Sequence, residues 1–154
     1  MRIFTFTLVL LASAMMFRPA IADAQALEAI RICNKMERQI NLLIEYTKTL
    51  CVPAQGRNGV SFIFISQEPV FSSEASKKYW LLVVAATFGA TFNANTMKSD
   101  EVAFADSSMM KNRLAFRMPA KTARTLQRRV KNYEITLDSM YEQITAAMKL
   151  YSIP

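Results

Sequence analysis

"CNKMERQINLLIEYTKTLC", residues 33–51, begins and ends on the two cysteines of the chain. With its flank from Leu27 it contains no Gly or Pro, and Ile32, Met36, Ile40, Leu43, Thr47 and Leu50 fall at helical spacing. That predicts an amphipathic helix over 27–50, with Asn34 and Glu37 in the form of a second helix start inside it. A continuous helix, however, puts Cys33 and Cys51 five turns apart on one face, about 27 Å from each other. A disulfide needs Cα atoms within roughly 7 Å, so one helix and one intrachain bond exclude each other. Three arrangements remain. The helix ends early, near Asn41, and the chain returns as a second element that pairs the cysteines. Two antiparallel copies form a homodimer and join Cys33 to Cys51 twice. Or both thiols stay free and buried as small apolar groups. The intrachain form leads, because an exported chain with an even cysteine count usually oxidises them. It requires a break between Cys33 and Cys51.

Export is read from the first residues. Arg2 precedes an apolar run from Ile3 to Phe17, and Ala20-Ile21-Ala22 or Ala22-Asp23-Ala24 supplies small residues at cleavage spacing. This is the layout of a secretory signal peptide over 1–24, too short in its apolar core to read as a spanning helix. Residues 25–154 then form a single globular domain of about 130 residues with one modest core. The chain holds 19 Lys and Arg against 12 Asp and Glu. Cleavage after Ala22 removes two cations, Arg2 and Arg18, and no acid, leaving +5. A basic exported protein is biased toward acidic partners. The other long apolar run, Tyr79 to Phe92, has 14 residues, short of the ~20 a bilayer span needs, so it reads as a buried core element.

Further along, Pro53, Gly56 and Gly59 break the chain and "VSFIFIS", 60–66, reads as a strand. Ser72-Ser73-Glu74 starts a helix that runs to about Phe88, with Gly89 near its end, although its Val, Thr and aromatic content also permits a strand from Leu81. "EVAFAD", 101–106, and "RLAFRM", 113–118, are strands of a hairpin. Ala123, Leu126, Val130, Tyr133, Leu137, Met140, Ile144, Ala147 and Tyr151 keep a 3-4-3-4 spacing, predicting one long helix after Pro119. The expected fold is α+β: long N- and C-terminal helices flank a small antiparallel sheet, with a shorter apolar helix in the middle.

Familiar chemistry is sparse. There is no His, which removes the commonest general base and metal ligand. Two cysteines make no zinc site by themselves, and three Gly do not form a phosphate-cradling loop. No catalytic residue, metal or cofactor is assigned. Asp100, Glu101 and Asp106 are the acidic cluster beside a turn.

The strongest charge feature runs from Lys111 to Lys131, with eight cations and no acid between Asp106 and Glu134. Lys121, Arg124, Arg128 and Lys131 recur at 3-4-3 and lie nearly opposite Leu126 and Val130 on a helix. Such a stripe is the ordinary solvated face of an amphipathic helix. In one long helix, though, these cations crowd the start, where the dipole disfavours them, while Glu134, Asp138 and Glu142 come later. That points to an anion- or partner-binding surface of Arg117, Lys121, Arg124, Arg128, Arg129 and Lys131, unless Asp100, Glu101 and Asp106 fold back onto it. No aromatic alternates with the charges, so nucleic acid is not expected. The expectation is a bacterial-type exported protein, periplasmic or secreted, that binds an acidic protein or an anionic envelope component. The alternatives are a small secreted hydrolase using carboxylates around Asp100 to Asp106, and a structural subunit assembling through its helix stripes. An exposed apolar stripe from Leu126 to Tyr151 favours assembly; a buried stripe with an exposed basic face favours binding.

Export carries its own test. The protein purified from its native host should have an intact mass that starts between Ala22 and Leu27; a mass retaining Met1 to Ala20 would remove the exported reading.

Overall fold

The computed structural model describes residues 24–44, 47–56, 59–95 and 98–154. All but the last residue of the expected signal segment lie outside the described residues. A first helix, α1, covers 24–43, and the sharp expectation of a break before Cys51 is met there. Thr47 and Leu50 are not helical. The chain returns as strand β1, Thr49–Gln55, which the helix reading had absorbed in part and Pro53 had obscured. Asn34 lies within a continuous α1 and starts no second helix.

The remaining elements are β2 (Val60–Ser66), a short 3-10 turn (Val70–Ser72), α2 (Glu74–Ala94), β3 (Glu101–Asp106), α3 (Ser107–Lys111), β4 (Leu114–Pro119), α4 (Ala120–Lys131), α5 (Leu137–Ala147) and β5 (Lys149–Ser152). The α+β class is as expected, but the sheet is mixed rather than antiparallel. Its order is β1-β2-β3-β4-β5, and β2 runs parallel to β3 while the other pairs are antiparallel. The reason is α2: a helix between two neighbouring strands returns the chain to the same end of the sheet, so the second strand repeats the direction of the first. The expected hairpin of β3 and β4 is present, bridged by α3.

The middle helix is not short. It has 21 residues, is capped by the Ser73 hydroxyl that accepts from the Ser76 N–H, and runs through Gly89 without ending. Gly89 serves packing instead. A Cβ there would stand 2.6 Å from the Ala123 carbonyl and 2.7 Å from Cβ of Gln127. The missing side chain is what lets α4 cross α2 so closely.

Helices α1, α2, α4 and α5 share one core with one face of the sheet. Phe62 and Phe64 of β2 meet the Phe88 ring edge-on at 5.7 and 6.0 Å, and Trp80 meets Phe104 at 6.1 Å. Strand alternation sends Leu50, Val52, Ile63, Ile65, Arg117 and Tyr151 to the other face.

The long C-terminal helix is two helices. Helix α4 closes at Asn132 and Tyr133, whose backbone is left-handed with φ 60°. The Tyr133 N–H donates to the Val130 carbonyl and the Glu134 N–H to that of Arg129, the bonds that close a helix around a left-handed residue. A tyrosine there costs on the order of 1 kcal/mol against glycine. Thr136 then caps α5 by accepting from the Ser139 N–H at 3.1 Å, with Asp138 in the first turn. The 3-4 spacing survives the break because both helices bury one face: Ala123, Leu126, Met140 and Ile144 are buried, but Tyr133 is 96% exposed and Leu137 54%. Tyr151 falls in β5, an edge strand that the periodicity disguised as helix.

Cys33 and Cys51 join within the chain, Cα atoms 5.5 Å apart. The purified protein should run as a monomer on non-reducing electrophoresis and take up no thiol label until reduced. Replacing both cysteines by Ser should cost about 3 kcal/mol, the scale for closing a loop of this length. A dimer band that collapses on reduction would contradict the pairing.

Candidate functional site

Helix α4 carries the basic face. Ala120, Ala123 and Leu126 are buried against α2 and the sheet, so at 100° per residue Lys121, Arg124, Arg128 and Lys131 turn outward, and all four are exposed. The site proves smaller than the six cations expected, because the fold separates or occupies three of them.

Arg117 sits on β4 between the inward-facing Phe116 and Met118. It therefore lies on the sheet face opposite the helices, 3.7 Å from Glu101 and over the Tyr151 ring at 5.1 Å. Arg124 is on the stripe but anchors α4 to α2. Its Nε donates to Asn93 Oδ1 at 3.0 Å and its guanidinium lies over Phe92 at 5.8 Å, while Asn93 Nδ2 donates to Gln127 Oε1 at 2.8 Å. Arg129 is 3.5 Å from Glu134. Lys121, Arg128 and Lys131 remain, and no acid among the described residues pairs with them.

The dipole argument also changes. Because α4 ends at Lys131, Arg128, Arg129 and Lys131 occupy its last turn, where cations are favoured. Asp138 occupies the first turn of α5, where an acid is favoured, and reaches Lys78 at 2.7 Å. Only Lys121 and Arg124 stand near a helix start, and the Ala120 N–H there already donates to the Asp100 carbonyl at 2.9 Å. The apparent reversal of charge came from reading two helices as one. Asn132 and the Thr136-Leu137-Asp138 start were the signals that could have revealed it.

The acidic cluster does not assemble. Glu101 and Asp106 stand at opposite ends of β3, about 17 Å apart at strand rise. Asp106 is fully buried and accepts from the N–H groups of Phe71 (2.9 Å), Ser108 (3.1 Å) and Met109 (3.0 Å) and from the Ser108 hydroxyl (2.8 Å). Burial pushes its pKa up, but the donors from Met109, Phe71 and Ser108 outweigh this and hold it below the ordinary carboxylate value. It caps α3 and ties down the turn before α2. Of the three acids expected to fold back on the basic run, Glu101 forms such an ion pair, with Arg117, and the buried Asp106 does not. Among the described residues no group of His, Cys, Asp or Glu has the grouping to hold a metal ion, and no helix is long and apolar enough to cross a membrane.

A groove of about 830 Å³ lies where the start of α1 meets the β1–β2 hairpin, lined among others by Ala29, Ile32, Pro53, Gln55 and Lys98. Sequence reading missed it because its walls are distant in the chain. Glu28, the one acid among its described lining residues, is paired to Arg31 at 2.7 Å. Comparison of the chain with protein-family models, with curated proteins and with solved structures finds no match.

Asp106 supplies a stability test. Its depressed pKa means that its contribution is present above the unfolded-state pKa and is lost as pH falls through the lower folded value. Asp106→Asn should therefore destabilise the protein by about 1.5–3 kcal/mol near neutral pH, and the gap between variant and wild type should narrow in acid. Denaturant unfolding across a pH series reads both; a gap that is constant down to strongly acidic pH would show that the charge is not what matters.

Proposed function

We propose that this is an exported protein, periplasmic or secreted, that acts by binding rather than catalysis, and that its partner is an acidic protein or an anionic envelope component held by the outer face of α4. The observation that carries the reading is a trio of cations, Lys121, Arg128 and Lys131, exposed on one 12-residue helix that holds no acid and unpaired within the described fold. The burial of Leu126, Met140 and Ile144 supports binding over assembly through helix stripes. The dispersal of Glu101 and Asp106 weighs against a carboxylate hydrolase. The Cys33–Cys51 bond supports an oxidising compartment.

Charge reversal at Lys121 and Arg128 isolates the face. Lys121→Glu near the start of α4 should gain about 0.3–1 kcal/mol of helix stability and Arg128→Glu in its last turn should lose as much, so the double variant should melt close to wild type. Its binding to polyglutamate, or to phosphatidylglycerol vesicles, should nevertheless weaken on the order of tenfold. Wild-type binding should fall as salt rises, since exposed charges are screened over ~8–10 Å. Equal binding by both proteins would make the stripe only a solvated face. A large loss of melting temperature would mean the cations are paired within the fold.

A further inference from the structure

We infer that Tyr133 is an anchor residue, and that the partner drawn by the α4 cations is an acidic polypeptide carrying aromatic or other apolar side chains rather than a uniform polyanion. The inference rests on the binding reading above and names the chemistry of the partner.

Four tyrosines fall within the described residues, and three have internal work. The Tyr79 hydroxyl donates to the Leu43 carbonyl at 2.9 Å, Tyr141 donates to Glu74, and Tyr151 lies under Arg117. The Tyr133 side chain alone among them has no hydrogen bond or ring contact, and it stands almost wholly in solvent at 96% exposure. It also occupies the left-handed closing position of α4, where Gly, or next best Asn, would suit the backbone. Neither packing nor helix closure therefore accounts for an aromatic ring here. Binding does: tyrosine offers a large amphipathic contact with few torsions to freeze, and it is among the residues that carry most interface energy.

The surroundings select the partner. Arg128 and Lys131, in the last turn of α4, are unpaired, and Leu137 at the start of α5 is more than half exposed. The two acids near the corner are engaged, Glu134 with Arg129 and Asp138 with Lys78. A ring and an apolar side chain flanked by two free cations complement an apolar spot rimmed by carboxylates. A bilayer surface fits less well, because no exposed apolar stripe continues from Tyr133 along either helix: Leu126, Met140 and Ile144 are buried.

The test compares polyglutamate with a Glu–Tyr copolymer that carries the same number of carboxylates, titrated into wild type, Tyr133→Gly and Tyr133→Phe. Wild type should prefer the copolymer on the order of tenfold, the scale of an interface anchor. Tyr133→Phe should keep the preference. Tyr133→Gly should melt higher, bind polyglutamate as wild type does and lose the preference, a combination that no structural role of the ring produces. An undiminished preference in Tyr133→Gly, or a wild type that binds both polymers equally, overturns the anchor and leaves the basic face standing. Loss of phosphatidylglycerol vesicle binding in Tyr133→Gly, with the polymer preference intact, overturns it in favour of a membrane surface. Wild type binding neither polymer overturns the binding reading and the anchor together.

Discussion

Cys33, Glu37 and Asn41 stand four residues apart on one face of α1, and all three reach β1. Cys33 bonds Cys51, Glu37 Oε2 accepts from the Cys51 N–H at 3.3 Å, and Asn41 Oδ1 accepts from the Thr49 N–H at 3.3 Å and the Thr49 hydroxyl at 3.1 Å. This seam folds residues 33–51 back on themselves and sets the helix along the strand. It also solves a problem of the sheet. Strand β1 is an outer strand, and every second N–H of such a strand faces outward and invites another chain. Here those positions include Thr49 and Cys51, whose N–H groups α1 occupies, and Pro53, which has none. Covalent bond, side-chain acceptors and proline act on the same edge. The rest of the sheet builds on its protected side.

The corner at 132–136 governs the other end. Tyr133 closes α4 and Thr136 opens α5, so a charge sequence that opposes the dipole of one helix agrees with the dipoles of two. The same corner fixes what faces outward. Met140 and Ile144 enter the core, as does part of Ile135, while the two stripe positions nearest the break, Tyr133 and Leu137, are left in solvent. The basic face of α4 is thereby bounded by an aromatic ring at one end and by the Arg124–Asn93 contact with α2 along its length.

Local chemistry was legible in the sequence wherever the signal was local. Short apolar and aromatic runs at 60–66, 101–106 and 113–118 are properties of neighbouring residues, and strands form there at Val60–Ser66, Glu101–Asp106 and Leu114–Pro119. The Ser73 cap is a contact over three residues, and α2 begins there. The incompatibility of a straight helix with a Cys33–Cys51 bond follows from helix rise alone, and it foretold the break. The outward stripe Lys121, Arg124, Arg128 and Lys131 follows from 100° per residue.

What the tertiary structure decided are matters of partners distant in the chain. Strand β1 contains a proline and becomes a strand because β2 and α1 flank it. Strand β5 continues a helical period and becomes a strand because the β4 edge accepts it. Gly89 looks like a helix end and is a crossing point, because Ala123 lies against it. Asp106 looks like one of an acidic pair and is a buried cap, because four donors from two segments converge on it. Arg117 shares a charge run with Lys121 but not a surface, since a strand sends alternate side chains to opposite faces of the sheet. Periodicity and propensity report on a residue and its near neighbours, whereas strand order, burial and the company of each charge depend on which distant segments meet.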